Sequence, residues 1–166
     1  HTRSLCDWSS DVCSSDLMSI ADICNREVIA VHRDATVNQA AKLMRRHHVG
    51  AVVVVDEFGQ QRVPVGMVTD RDIVIKVDAM DLDGKVLTAG DIMSRELVTA
   101  PLTLALTETL ELMRARGVRR VPVIDGDGGL AGIVAIDDVV AVLADELGDL
   151  ARVMSRGRSR EIHHRQ

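Results

Sequence analysis

The sequence predicts an α/β fold of two pseudo-symmetric units, each running strand, helix, strand, strand, helix, packed into one module. Three observations lead there. The first is an internal repeat with an offset of 69 residues. Asp22-Ile23 recurs as Asp91-Ile92, Arg26-Glu27 as Arg95-Glu96, and Leu43-Met44-Arg45 as Leu112-Met113-Arg114. Val49, Val54, Asp56 and Gly59 recur as Val118, Val123, Asp125 and Gly128; after a turn three residues shorter, Gly66, Val68, Asp72 and Val74 recur as Gly132, Val134, Asp138 and Val140. Two copies at this spacing make a paired module and exclude a short-repeat solenoid. The second observation is a pair of β-branched runs, Ala51 to Val55 and Val121 to Ile124, which read as buried strands. The third is helical spacing: Val37, Ala40, Ala41 and Met44 fall on one face, as do Leu106, Leu110 and Met113 in the second copy.

The elements follow in order. A short extended segment, Val28 to Val31, is matched by Leu97 to Ala100. A helix from about Val37 to His48 follows, with Thr36 as its N-cap. The central strand then returns as a hairpin; in the second copy Asp125-Gly126-Asp127-Gly128-Gly129 supplies the turn. Returning strands cover Val63 to Thr69 and Leu130 to Ala135. Closing helices lie near Asp70 to Val77 and Ile136 to Leu147. The units are therefore expected at 18–80 and 88–150. One such unit is near the lower limit for a self-sufficient core, so the two are expected to pack through their sheets. The segment 151–166 has five Arg against one Glu and is expected to be a frayed, solvated basic extension. The first 17 residues look foreign: the run Asp7 to Leu17 has no structural period and resembles a translated sequencing adapter, so the natural protein is expected to begin at Met18. The same stretch holds Trp8, Cys6 and Cys13; Cys24 alone then remains, too few for a disulfide framework.

Composition narrows the function. The chain is 46% hydrophobic with a net charge of −5, so it can build a core and is a poor partner for nucleic acid. Trp8 and Phe58 are its only aromatic residues, and there is no tyrosine, so base-stacking platforms are missing. A bound purine would be gripped by aliphatic side chains and backbone. No apolar run reaches the length of a membrane span, and a cytoplasmic location is expected by default. There is no nucleophile elbow, dinucleotide fingerprint or phosphate loop. His47 and His48 are adjacent and would diverge on a helix, so they do not share a metal. Asp70, Asp72, Asp137 and Asp138 sit where a helix start favours acids. No metal is therefore expected to be required.

The informative segment is Gly66-Met67-Val68-Thr69-Asp70-Arg71-Asp72. A ribose diol offers two donors that one carboxylate can accept, and a strand-to-helix turn aims free N–H groups at anions. Thr69 and Asp72 equally fit a capping box, in which the two side chains satisfy the helix start. This segment, the Val-Val-Val-Asp strand before it and the duplicated layout resemble the cystathionine-β-synthase-type (CBS) domain, over Met18 to about Leu150. The resemblance implies a CBS pair, or Bateman module. In such a module the Thr69 hydroxyl and Asp72 carboxylate would hold the ribose of an adenosine nucleotide: AMP, ADP, ATP, NAD or S-adenosylmethionine. It further implies that Arg119, Arg120 and Arg71 meet phosphate, and that Val118 and Arg119 approach the first cleft from across the module with Val98 near the purine. The second copy keeps Asp138 but has Ala135 in place of the hydroxyl, which implies one competent cleft and one impaired. The expected function is a non-catalytic regulatory sensor, forming a homodimer through its helical faces and acting on a protein partner in trans. The alternative is a dimeric interaction scaffold with a vestigial cleft.

Overall fold

The structure, a computed structural model, describes residues 18–163, with side chains through Met154. The expected foreign leader, 1–17, lies outside the described residues. The first copy contributes α1 (Ile20–Ile23), β1 (Ala30–His32), α2 (Val37–His47), β2 (Ala51–Phe58), β3 (Gln61–Thr69) and α3 (Asp70–Lys76). After a single 3-10 turn at Asp78–Met80, the second contributes α4 (Ala89–Ile92), β4 (Ala100–Pro101), α5 (Leu106–Arg116), β5 (Arg120–Ile124), β6 (Leu130–Ala135) and α6 (Ile136–His163). Each copy builds a three-stranded sheet, β1-β2-β3 and β4-β5-β6. In each, the first strand runs parallel to the second and the third antiparallel. The sheets meet through β3 and β6.

Local chemistry explains the element ends. Thr36 accepts from Gln39 N while the Gln39 side chain accepts from Thr36 N, a complete capping box. His48 closes α2 in the left-handed conformation, at φ 54°. In α5 the cap position is Ala105, so only Glu108 reaching back to Ala105 N remains of the box. Val52, Val53 and Val54 of β2 are each no more than 1% exposed, as expected for a strand covered on both faces.

The units that pack are not the copies that repeat. The leading segment of each copy docks on the other copy. Ile20, from α1, is fully buried in the second core with Ala100, Leu106, Val121 and Val139. Reciprocally, Ala89, Ile92 and Met93 are buried in the first core with Val31, Val37, Val54 and Val68. The bridges repeat this exchange: Ser19 pairs with Ala105 and Thr88 with Thr36, while Asn25 pairs with Ile133 of β6 and Ser94 with Met67 of β3. Neither α1 nor α4 was visible to periodicity, because four residues complete barely one turn.

This crossing gives the motif glycines their reason. A Cβ on Gly66 would collide with the Met93 side chain; one on Gly132 would lie 3.0 Å from Cys24 Sγ and 3.1 Å from Asn25 O. Cys24 and Met93 are equivalent positions of the repeat. The glycine makes room for the crossing segment.

One expectation is corrected at the C-terminal end. The sequence ends the last helix near Leu147 and leaves 151–166 frayed, but α6 continues to His163. Ala151, Arg152 and Met154 are strong helix formers, no proline follows, and Gly148 and Gly157 are too small a penalty to stop the helix.

Candidate functional site

The site begins where β3 becomes α3. Thr69 has extended backbone, φ −108° and ψ 161°, and caps the helix. Its Oγ1 accepts from Asp72 N at 3.1 Å and donates to Asp72 Oδ2 at 2.6 Å, while Thr69 N donates to the same Oδ2 at 3.0 Å. Asp72 Oδ1 accepts from Lys76 Nζ at 2.8 Å, one turn on. Lys76 is itself fixed, donating to Ile92 O at 2.7 Å. Partial burial alone would raise the Asp72 pKa. The hydrogen bonds from Lys76 and from the Thr69 hydroxyl and amide outweigh it, so the carboxyl is held below its ordinary value. The capping box left open by the sequence is therefore present. A carboxylate offers about four acceptor sites. Two on Oδ2 and one on Oδ1 are taken, which leaves one on Oδ1.

This turn forms one wall of a cavity of about 380 Å³, within the roughly 300–1,000 Å³ typical of small-molecule sites. Thr69, Arg71 and Asp72 come from the first copy; Val98, Val118, Arg119 and Arg120 come from the second. The cavity thus lies between the copies and gathers seven of the eight residues singled out by sequence. Arg71 and Arg119 are exposed and Arg120 is half-buried; among the described residues none of the three is ion-paired. Leu97, Val98, Val118 and Met67 give it aliphatic surface.

The eighth residue, Asp138, lies elsewhere, in a cavity of about 240 Å³ that is the pseudo-symmetric counterpart. There Asp138 Oδ2 accepts from Ala135 N at 3.2 Å, and the absence of a hydroxyl at Ala135 leaves half a cap. Glu27, His48 and Asp137 also line it, and Arg120 borders both cavities. Sequence reasoning missed Ser94 and Glu96 in the first cavity and Glu27 in the second. The signal was available, since Arg26-Glu27 and Arg95-Glu96 are among the clearest matches of the repeat. Lys76 was likewise legible, four residues after Asp72 on a helix.

Two copies enclosing paired clefts at strand-to-helix turns define a tandem regulatory module. The chain belongs to the CBS domain family, whose model matches residues 20–78 and 89–145. An uncharacterized protein of Methanopyrus kandleri, MK0525, is 35% identical over 125 residues, covering 75% of this chain and 62% of that protein. Hypoxic response protein 1 of Mycobacterium tuberculosis is 36% identical over 124 residues, covering 75% of this chain and 84% of that protein. A solved structure of Hypoxic Response Protein I with two coordinated zinc ions matches with a TM-score of 0.66 and 35% identity, over 75% of this chain and 98% of that one. The CBS domain pair of protein MJ0100, solved in complex with 5-methylthioadenosine and S-adenosyl-L-methionine, matches with a TM-score of 0.69 and 26% identity, over 78% of this chain and 98% of that one.

The zinc ions in that similar structure overturn the expectation that no metal is required. That expectation rested on the local geometry of single helices, which is silent about ligands brought together from distant segments. Among the described residues no three His, Cys, Asp or Glu side chains gather into a group, so no residue here is assigned to zinc. Among them also, no helix is long and apolar enough to cross a membrane.

Proposed function

We propose that this CBS pair is a non-catalytic sensor that binds an adenosine-containing nucleotide in the cleft between its copies. The observation that carries the reading is the convergence of Thr69 and Asp72 from one copy with Arg119 and Arg120 from the other around one cavity. The ribose would take the free acceptor site on Asp72 Oδ1. A second site opens on Oδ2 when the Thr69 hydroxyl turns toward the ligand. Phosphate would meet Arg71, Arg119 or Arg120, whose guanidinium groups are available for charge-assisted hydrogen bonds. Adenosine compounds in the similar MJ0100 pair support the ligand class. Because the walls come from different copies, a ligand that grips both changes their relative free energy, and a protein partner in trans would read the change. The second cleft, smaller and without the hydroxyl, is read as impaired.

Mass spectrometry of small molecules released from purified protein tests this. An adenosine compound at near-stoichiometric yield, lost in Asp72→Ala, supports the reading. Protein that releases none and binds none on titration is instead the scaffold with a vestigial cleft.

A further inference from the structure

Lys76 holds two partners at once. Its Nζ donates to Asp72 Oδ1 at 2.8 Å and to Ile92 O at 2.7 Å. The first partner is the carboxylate of the cleft. The second is the last residue of α4, the leading segment of the second copy, buried there in the first core. A helix ends on carbonyls that have no partner within it, and Lys76 supplies one. An ammonium has three donors, so both bonds form together. One side chain on α3 thus ties the cleft wall to the segment that crosses from the other copy.

The chain on either side of Ile92 shows what the tie can move. Beyond it, Ser94 bridges to Met67 of β3, and Ser94, Glu96, Leu97 and Val98 line the cleft. Before it, Ala89 N donates to Ala35 O at 2.7 Å and Gly90 N to Arg33 O at 2.9 Å, while Met93 N closes α4 on Ala89 O at 2.9 Å. Ala89, Gly90 and Met93 do not line the cleft, so their amides report on the crossing segment without touching a ligand. The repeat does not require the tie. Val142 stands four residues after Asp138, where Lys76 follows Asp72, so the carbonyl of Ile23, the counterpart of Ile92, meets no lysine there.

We propose that Lys76 is a positioning residue, which fixes Asp72 for a ribose hydroxyl and carries the occupancy of the first cleft to α4. This rests on the ligand reading of that cleft. A hydroxyl on the free site of Oδ1 shares its oxygen with Lys76, and so favours the carboxylate orientation that Lys76 and Ile92 also hold. Binding stabilises that arrangement, and α4 is gripped more firmly against the first copy. The second cleft has no such route.

Amide exchange followed by NMR tests the tie, first without ligand. The Lys76 side chain is 43% exposed, so K76M should fold, as circular dichroism checks. K76M and D72N should each quicken exchange at Ala89, Gly90 and Met93 by about fivefold or more. The double variant should do no more than K76M alone, because the two residues act as one unit. K76R, which keeps the charge, should restore slow exchange. D138N should leave Cys24, the counterpart of Met93, unchanged. In K76M the Asp72 carboxyl should titrate at higher pH than in wild type, having lost the hydrogen bond and charge of Lys76. Saturation with whichever of AMP, ATP, NAD and S-adenosylmethionine binds most tightly should then slow the three amides in wild type and leave them unmoved in K76M. Additive effects of D72N and K76M overturn the proposal, as does ligand-induced slowing that survives in K76M. If a compound binds wild type without slowing these amides, the sensor reading stands and the proposal falls. If none of the four binds while the ligand-free effects appear, the sensor reading falls and the transmission of occupancy falls with it.

Discussion

Replacing Ile20 with alanine probes the exchange of leading segments. Ile20 is fully buried in the core of the second copy although it belongs to the first. Truncating a buried isoleucine costs about 2–5 kcal/mol, depending on how far the site collapses. Collapse is limited here, because α1 is a single turn fixed at both ends. Leu106 N donates to Met18 O at 2.9 Å and Ile20 N to Leu104 O at 3.1 Å; Asn25 and Ile133 exchange two hydrogen bonds of 2.9 Å. Ser19 Oγ donates to Leu102 O at 2.7 Å. We therefore expect about 3 kcal/mol. At about 2–4 °C per kcal/mol for a chain of this size, Tm falls by about 6–12 °C. Calorimetry should show one transition, since each core contains a segment of the other copy. Hydrogen exchange should quicken in β6, far from residue 20 in sequence. Leu82→Ala, at a 49% exposed position, serves as control and should stay within about 0.5 kcal/mol. Two separate transitions, or an Ile20→Ala variant as stable as the control, would refute the exchange.

Two further outcomes follow. Ala135→Thr should restore the missing cap hydroxyl, stabilise the chain by about 1 kcal/mol in denaturant titration and raise ligand stoichiometry toward two per chain; stoichiometry that stays at one would show that the hydroxyl is not what the second cleft lacks. Asp72, with its folded pKa depressed, contributes stability that is fully present above the unfolded carboxyl value and lost as pH falls through the folded one. Wild type should therefore lose stability below about pH 4 more steeply than Asp72→Asn, as followed by melting temperature against pH; parallel curves would refute the linkage.

The repeat made the architecture legible, because matched residues recur in order over about fifty positions and each central strand has its own β-branched run. The same repeat hid the exchange. Similar copies dictate similar local structure but do not say which copy a leading segment joins, and Ile23 and Ile92, equivalent in the repeat, look alike in either place. Gly66 illustrates the difference. In sequence it opens a ligand motif; in the fold it makes room for Met93. The cleft was legible at Thr69 and Asp72 through the motif they complete at a strand-to-helix turn, and at Arg119-Arg120 through paired charge beside a buried strand. It was not legible at Ser94, whose place depends on its bridge to Met67. The helical extension was hidden because its arginines read as solvated charge, although Leu147, Leu150 and Met154 continue the helical period into them.

Calorimetric titration of AMP, ATP, NAD and S-adenosylmethionine into wild type, Asp72→Ala, Asp138→Ala and Arg119→Ala tests the central claim most directly, with each variant confirmed folded. Hydrogen bonds to a charged group are worth about 1.5–3 kcal/mol, so Asp72→Ala should weaken the preferred ligand by about tenfold to a hundredfold. Asp138→Ala should change it little, and Arg119→Ala should weaken ligands more as they carry more phosphate. Wild type that binds none of the four below millimolar concentration, or an Asp138→Ala variant more damaged than Asp72→Ala, would contradict the account.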